Sequence, residues 1–169
     1  MRQRRRRVEL SPLRDDCSLG ILEDELMQTF MPYPNFEESA KVLDRQRLGR
    51  QRVEVLQILN SLCGSSYGWR NHPAVKMWRG HEAYLIAYGC AICLEWISRG
   101  FKDTTLEKIV AFATRYNPHN TTEPDWLGNP EFHSSHRSAL LYKNPQWYGR
   151  FGWTEKPKIE YIWPAQGEK

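Results

Sequence analysis

The chain has 169 residues, of which 40% are hydrophobic and 26% charged, a balance that fits one globular domain. No apolar run approaches the roughly 20 residues needed to span a bilayer, and no apolar stretch follows the N-terminal arginines. The expectation is therefore a cytoplasmic protein without a membrane span or secretory signal. The net charge of +4 permits a nucleic acid partner without requiring one.

Residues 1–26 hold six Arg and six Asp/Glu, and residues 27–169 carry the whole positive balance. The first 26 begin with a basic block, turn acidic and show no periodicity, so they read as a disordered arm, or as a mis-called start before Met27. Residues 27–169 read as the single domain. Pro32 and Pro34 force residues 27–34 to be extended. Asn35 is a plausible N-cap with Glu37 and Glu38 in the first turn, and the spacing of Phe36, Ala40, Leu43, Leu56 and Leu59 predicts one long helix to Leu62.

Pro73 suits the start of a second long helix, from Ala74 to Arg99, apolar almost all round between Tyr84 and Trp96 and capped by Gly100. A short helix follows from Asp103 to Arg115. Residues 116–130 read as a long loop, residues 134–142 as a helical turn or two, and the C-terminus as an irregular aromatic segment. The fold class is all-α: a compact domain on two long helices plus shorter ones.

Cys90 and Cys93 have CxxC spacing, but they fall in the apolar helix with no second pair and no histidine at ligand spacing. Cys17 and Cys63 complete the four. They read as structural thiols, with no metal and no cofactor. His133 and His136 are three apart, yet no carboxylate or cysteine completes a ligand set.

Chemistry concentrates in the first helix. Arg45, Arg47, Arg50 and Arg52 fall within eight residues, and Asp44, Arg47, Gln51 and Glu54 share one helical face. Such a stripe offers phosphate-binding guanidinium groups beside a carboxylate, or else a solvated face laced with ion pairs. Gly49, inside it, weakens the helix by about 1 kcal/mol and marks close approach by another backbone.

The run from Met27 to Glu54 resembles a bacterial branch of the phage-type pyrimidine-dimer DNA glycosylase/AP lyases. The likeness continues in the same order through Gly68–Pro73, Ile97–Thr105 and His136–Gly152, where Pro145-Gln146-Trp147-Tyr148 is similar to the family's Pro-x-Trp-Tyr element.

That resemblance implies a monomeric all-helical enzyme acting on damaged or base-modified duplex DNA. Its α-amino group attacks C1′, a helix glutamate assists, and a Schiff base precedes strand cleavage. An α-amine, with a pKa of about 7.7–8.0, is largely free near neutral pH. Carried over, the candidates are Met27 as the amine and Glu54 as the carboxylate. Arg45, Arg47, Arg50, Arg52, Arg70 and His72 become DNA contacts, with Trp147 and Tyr148 stacking on an extruded base. For Arg70 and His72, capping and packing is the alternative, as a core position is for the two aromatics. The family's adjacent Arg-Glu pair is here Arg52-Val53-Glu54, which puts Val53 opposite the glutamate, about 100° away on the helix. The alternative reading is a DNA-binding module that kept the basic helix and lost catalysis.

Overall fold

The computed structural model describes residues 27–64 and 69–164; expectations for residues 1–26, Cys17 among them, lie outside the described residues. Among these residues are seven α-helices, one 3-10 turn and no strand. The helices are α1 (Phe36–Val42), α2 (Arg45–Cys63), α3 (Pro73–Trp78), α4 (Glu82–Ser98), α5 (Leu106–Tyr116), α6 (Pro130–Lys143) and α7 (Pro145–Tyr148), with the 3-10 turn at Gly149–Phe151. The all-α expectation holds.

Both expected long helices are broken, the first at a capping aspartate and the second at a glycine with positive φ. Asn35 caps α1 through its side chain, which accepts from the Glu38 N–H at 2.9 Å. Leu43 then turns extended, and the Asp44 carboxylate accepts from the Arg47 N–H at 2.9 Å, starting α2. An N-cap aspartate satisfies a helix N-terminus and so competes with helix continuation. The exposed α1 carbonyls are satisfied by other elements: Arg99 donates to Leu43 O at 2.8 Å and Lys41 O at 2.9 Å, and the Trp147 indole N–H donates to Val42 O at 2.8 Å. The second break falls at Gly80, whose φ of +80° only glycine adopts cheaply, between α3 and α4. Gly100, at φ +85°, ends α4 as expected.

Helices α2, α4 and α5 form the core layer, meeting most tightly at Gly89. A Cβ there would lie 2.7 Å from Val55 Cγ1 and 3.0 Å from Ile109 Cδ1. Tyr88, Leu85, Ile92 and Cys93 of α4 are buried, but Leu94 and Ile97 face solvent, so α4 buries one side rather than running through the core. Helix α6 begins at Pro130, earlier than expected, because Asn129 caps it with bonds to the Glu131 and Phe132 N–H groups. The C-terminal segment packs back without regular structure: the Trp153 ring stacks on Tyr148 at 5.7 Å, and Lys158 N–H donates to Ser138 O.

Candidate active site

Residues 27–33 hold neither helix nor strand, bend at Met27 and again from Pro32, and run through the interior. Backbone there must find partners, because a buried unpaired peptide group costs about as much as a lost hydrogen bond. Side chains supply them. Gln51 Nε2 donates to Gln28 O at 2.6 Å, and Gln51 Oε1 accepts from the Phe30 N–H at 3.0 Å. The Tyr88 hydroxyl lies 2.9 Å from Phe30 O and 2.7 Å from Gln51 Oε1. His133 Nδ1 meets Met31 O at 2.8 Å, and the Met31 N–H donates to His136 Nδ1 at 3.3 Å. Arg137 donates to Pro32 O at 2.7 Å, and Ser39 Oγ pairs with both N–H and C=O of Tyr33. The histidine pair is thus a clamp on this segment. Burial holds both rings neutral, His136 down to about 3.

The same segment lies beside Glu54. Gln51 Nε2, which donates to Gln28 O at 2.6 Å, also donates to the Glu54 carboxyl. Glu54 is only 6% exposed, and Arg50 Nε lies 3.9 Å from it. Burial pushes its pKa up to about 8, against the opposing pull of Arg50, the Gln28 N–H and Lys143. Near neutral pH this carboxyl therefore holds its proton and can donate it. Tyr88, fully buried and close to the Glu54 charge, has its phenol pKa raised.

Two cavities share the Glu54–Arg50 wall. An outer cleft of about 770 Å³ is lined by Arg45, Gly49, Val53, Gln57, Trp69 and Trp96 together with Arg50 and Glu54. An inner one of about 50 Å³ is lined by Phe30, Arg47, Gln51 and Lys143 with the same two residues. The inner space suits a few waters; the outer is in the size range of small-ligand sites. Val53 is 50% exposed and lines the outer cleft, while Glu54 is buried and held by Gln51 beside the threaded segment.

The four arginines divide. Arg45 and Arg50 are exposed on the cleft rim. Arg47 is paired with Asp44, and Arg52 is paired with the buried Asp103 while its guanidinium lies 4.2 Å from the Trp96 ring centre. The stripe is accordingly not a solvated face: Asp44, Gln51 and Glu54 are all buried. The close approach at Gly49 comes from a side chain rather than a backbone, since a Cβ would meet the Trp96 ring at 3.1 Å.

None of the other sequence candidates lines either cavity. The His72 ring accepts the Ala74 N–H at 3.1 Å, capping α3, and Arg70 donates to Gly64 O at 3.0 Å. Tyr148 is fully buried and its hydroxyl accepts the Asp44 N–H at 3.1 Å; Trp147 is half-buried, with Arg150 over its ring at 3.5 Å. These two aromatics hold the α1–α2 break. Met27, 1% exposed, is in the core beside the site. Sequence reasoning passed over Trp69, Trp96, Tyr88 and Lys143. Three of them lie 34 or more residues from Glu54, and no local pattern connects them. Cys90 and Cys93 sit in α4 with thiol pKa values pushed up by burial, Cys93 to about 12. Among the described residues, no three His, Cys, Asp or Glu cluster as metal ligands, and no helix is long and apolar enough to cross a membrane.

Compared with known proteins, residues 27–108 match the family described as pyrimidine dimer DNA glycosylase. No curated protein and no solved structure matches the chain.

Proposed function

Residues 27–108 of this chain match the pyrimidine dimer DNA glycosylase family, and from that premise we propose that it removes a dimerised or otherwise modified pyrimidine from duplex DNA. The nucleotide is extruded into the outer cleft, and Arg45 and Arg50 on its rim hold the flanking phosphates. Glu54 supplies the proton that the departing base needs as the C1′–N bond breaks. An amine on the threaded segment attacks C1′, giving a Schiff base from which β-elimination cleaves the strand. When Met27 is the first residue, its α-amino group is that amine. It then lies one residue from Gln28, whose carbonyl shares the Gln51 amide with Glu54, a Cα spacing of about 3.8 Å.

The observation that carries this reading is the Gln51 amide shared between Gln28 O and the buried Glu54 carboxyl, at the wall of a cleft large enough for a nucleotide. It is tested with Glu54→Gln in a single-turnover base-release assay on duplexes carrying a thymine dimer. The expected result is a loss of about 10²–10⁴-fold in rate, the usual worth of a positioned acid, with DNA affinity and its salt dependence nearly unchanged. An unchanged rate removes Glu54 from the chemistry.

A binding-only role draws on one observation: Met27 and Gln28 are 1% and 2% exposed. An amine there reaches DNA only if the segment shifts.

A further inference from the structure

The turn between α4 and α5 falls in the Ile97–Thr105 stretch of the family resemblance, and it meets α2 through a continuous series of side-chain contacts. The Arg45 guanidinium lies over the Phe101 ring, 4.9 Å from its centre. Phe101 packs on Trp96, with ring centres 4.3 Å apart and planes tilted by 31°. The Arg52 guanidinium lies 4.2 Å from the Trp96 ring centre and pairs with one Asp103 oxygen. The other Asp103 oxygen accepts the Thr105 and Leu106 N–H groups at 3.0 and 2.7 Å. The Trp96 indole N–H donates to Lys102 O at 2.9 Å, and Gly49, lacking a side chain, leaves α2 open to the edge of that ring. The inner members of the series are thus fixed by directed bonds. Its outer member, Arg45, is exposed and lines the outer cleft, as Trp96 does.

A seat on a ring differs from an ion pair. Arg47 and Arg52 spend their charge on Asp44 and Asp103. A guanidinium drawn to an aromatic ring keeps its full charge and its in-plane N–H donors for another anion. An exposed arginine without such a seat keeps rotamer freedom that it must surrender when it grips a phosphate. We propose that Phe101 is a positioning residue for Arg45: backed by Trp96 and Arg52, its ring holds the guanidinium at the cleft rim before DNA arrives. The Ile97–Thr105 stretch thereby serves the DNA grip without touching DNA itself. The proposal rests on the reading that Arg45 holds a flanking phosphate, and its test separates the two.

The experiment uses the full chain in two measurements. The first follows the order parameter of the Arg45 Nε–H by NMR without DNA, its signal assigned by its loss in Arg45→Ala. It is expected to fall in Phe101→Leu, which keeps apolar bulk but removes the ring, and to return in Phe101→Tyr. The second is a double-mutant cycle on the affinity for a duplex carrying a thymine dimer. Phe101→Leu should weaken binding by roughly three- to tenfold, the usual worth of ordering one long side chain. In an Arg45→Ala background the same change should cost no further affinity. If Phe101→Leu does not fold, Phe101→Met carries both comparisons. An Arg45 Nε–H as mobile in wild type as in the ring-free variant overturns the proposal. Equal losses of affinity in the two backgrounds also overturn it, because Phe101 then acts on the fold and not through Arg45. If Arg45→Ala binds as tightly as wild type, the phosphate reading of Arg45 fails, and the order parameter still decides whether Phe101 fixes that side chain.

Discussion

Glu54 and Asp103 are both buried carboxyls and shift in opposite directions, and the difference lies in what meets them. Burial raises both, but Asp103 also receives the Leu106 and Thr105 N–H groups and the Arg52 guanidinium, which bring its pKa below the ordinary value. Glu54 has weaker compensation and stays high, at about 8 from 4.5. The folded state therefore binds the Glu54 proton more tightly than the unfolded chain. Its contribution is fully present below pH 4.5 and lost as pH rises to about 8, on the order of a few kcal/mol. Melting temperature followed across that window should fall with pH in wild type and fall less in Glu54→Gln. Equal slopes would mean that Glu54 titrates normally. Asp103, being depressed, acts on the acid side, where its contribution disappears as pH falls through its folded value.

The arginines give a second test at this scale. Arg52→Ala strands a buried Asp103 and should destabilise the fold by about 3–5 kcal/mol. Arg45→Ala should leave denaturant stability within about 0.5 kcal/mol while weakening DNA binding and lowering the salt slope by about one counterion. Interchanged effects would reverse the division between the structural arginines and those proposed to hold phosphates.

Among the elements, the tightest contact is the meeting of α2, α4 and α5 at Gly89. A Cβ 2.7 Å from Val55 has nowhere to go, so Gly89→Ala should cost about 1–3 kcal/mol in denaturant unfolding. Gly49→Ala meets only the edge of Trp96 at 3.1 Å, and the roughly 1 kcal/mol of helix propensity it gains should offset most of that. A larger loss at Gly49 than at Gly89 would contradict this packing. Caps and glycines made much of the helix order legible in the sequence: Asn35, Pro73 and Gly100 each act where their chemistry placed them. Two breaks were not legible. Asp44 resembled one more charge in a stripe, and its capping bond matters only because Arg99 and Trp147, distant in sequence, satisfy the carbonyls it leaves exposed. Gly80 stood inside a run that periodicity alone kept helical. The site was legible to the same extent: the face shared by Gln51 and Glu54 followed from spacing. That Gln51 would spend its amide on residues 28 and 30 depends on tertiary contacts no helical period encodes.

At the scale of the molecule, the described helices hold one buried segment without regular structure, whose peptide groups are bound by side chains of Ser39, Gln51, Tyr88, His133, His136 and Arg137. That segment is where the family match begins, and its Gln28 carbonyl shares the Gln51 amide with Glu54 at the wall of the cleft. Borohydride trapping on duplexes carrying an abasic site tests the central claim most directly, using the full chain and a chain beginning at Met27, with the adduct mapped by mass. The expected result is a covalent adduct with the shorter chain, carried on the Met27 α-amino group and lost when that amine is acetylated. No adduct with either chain, despite salt-sensitive binding to the same duplex, would contradict the lyase assignment and leave a protein that binds DNA without opening it.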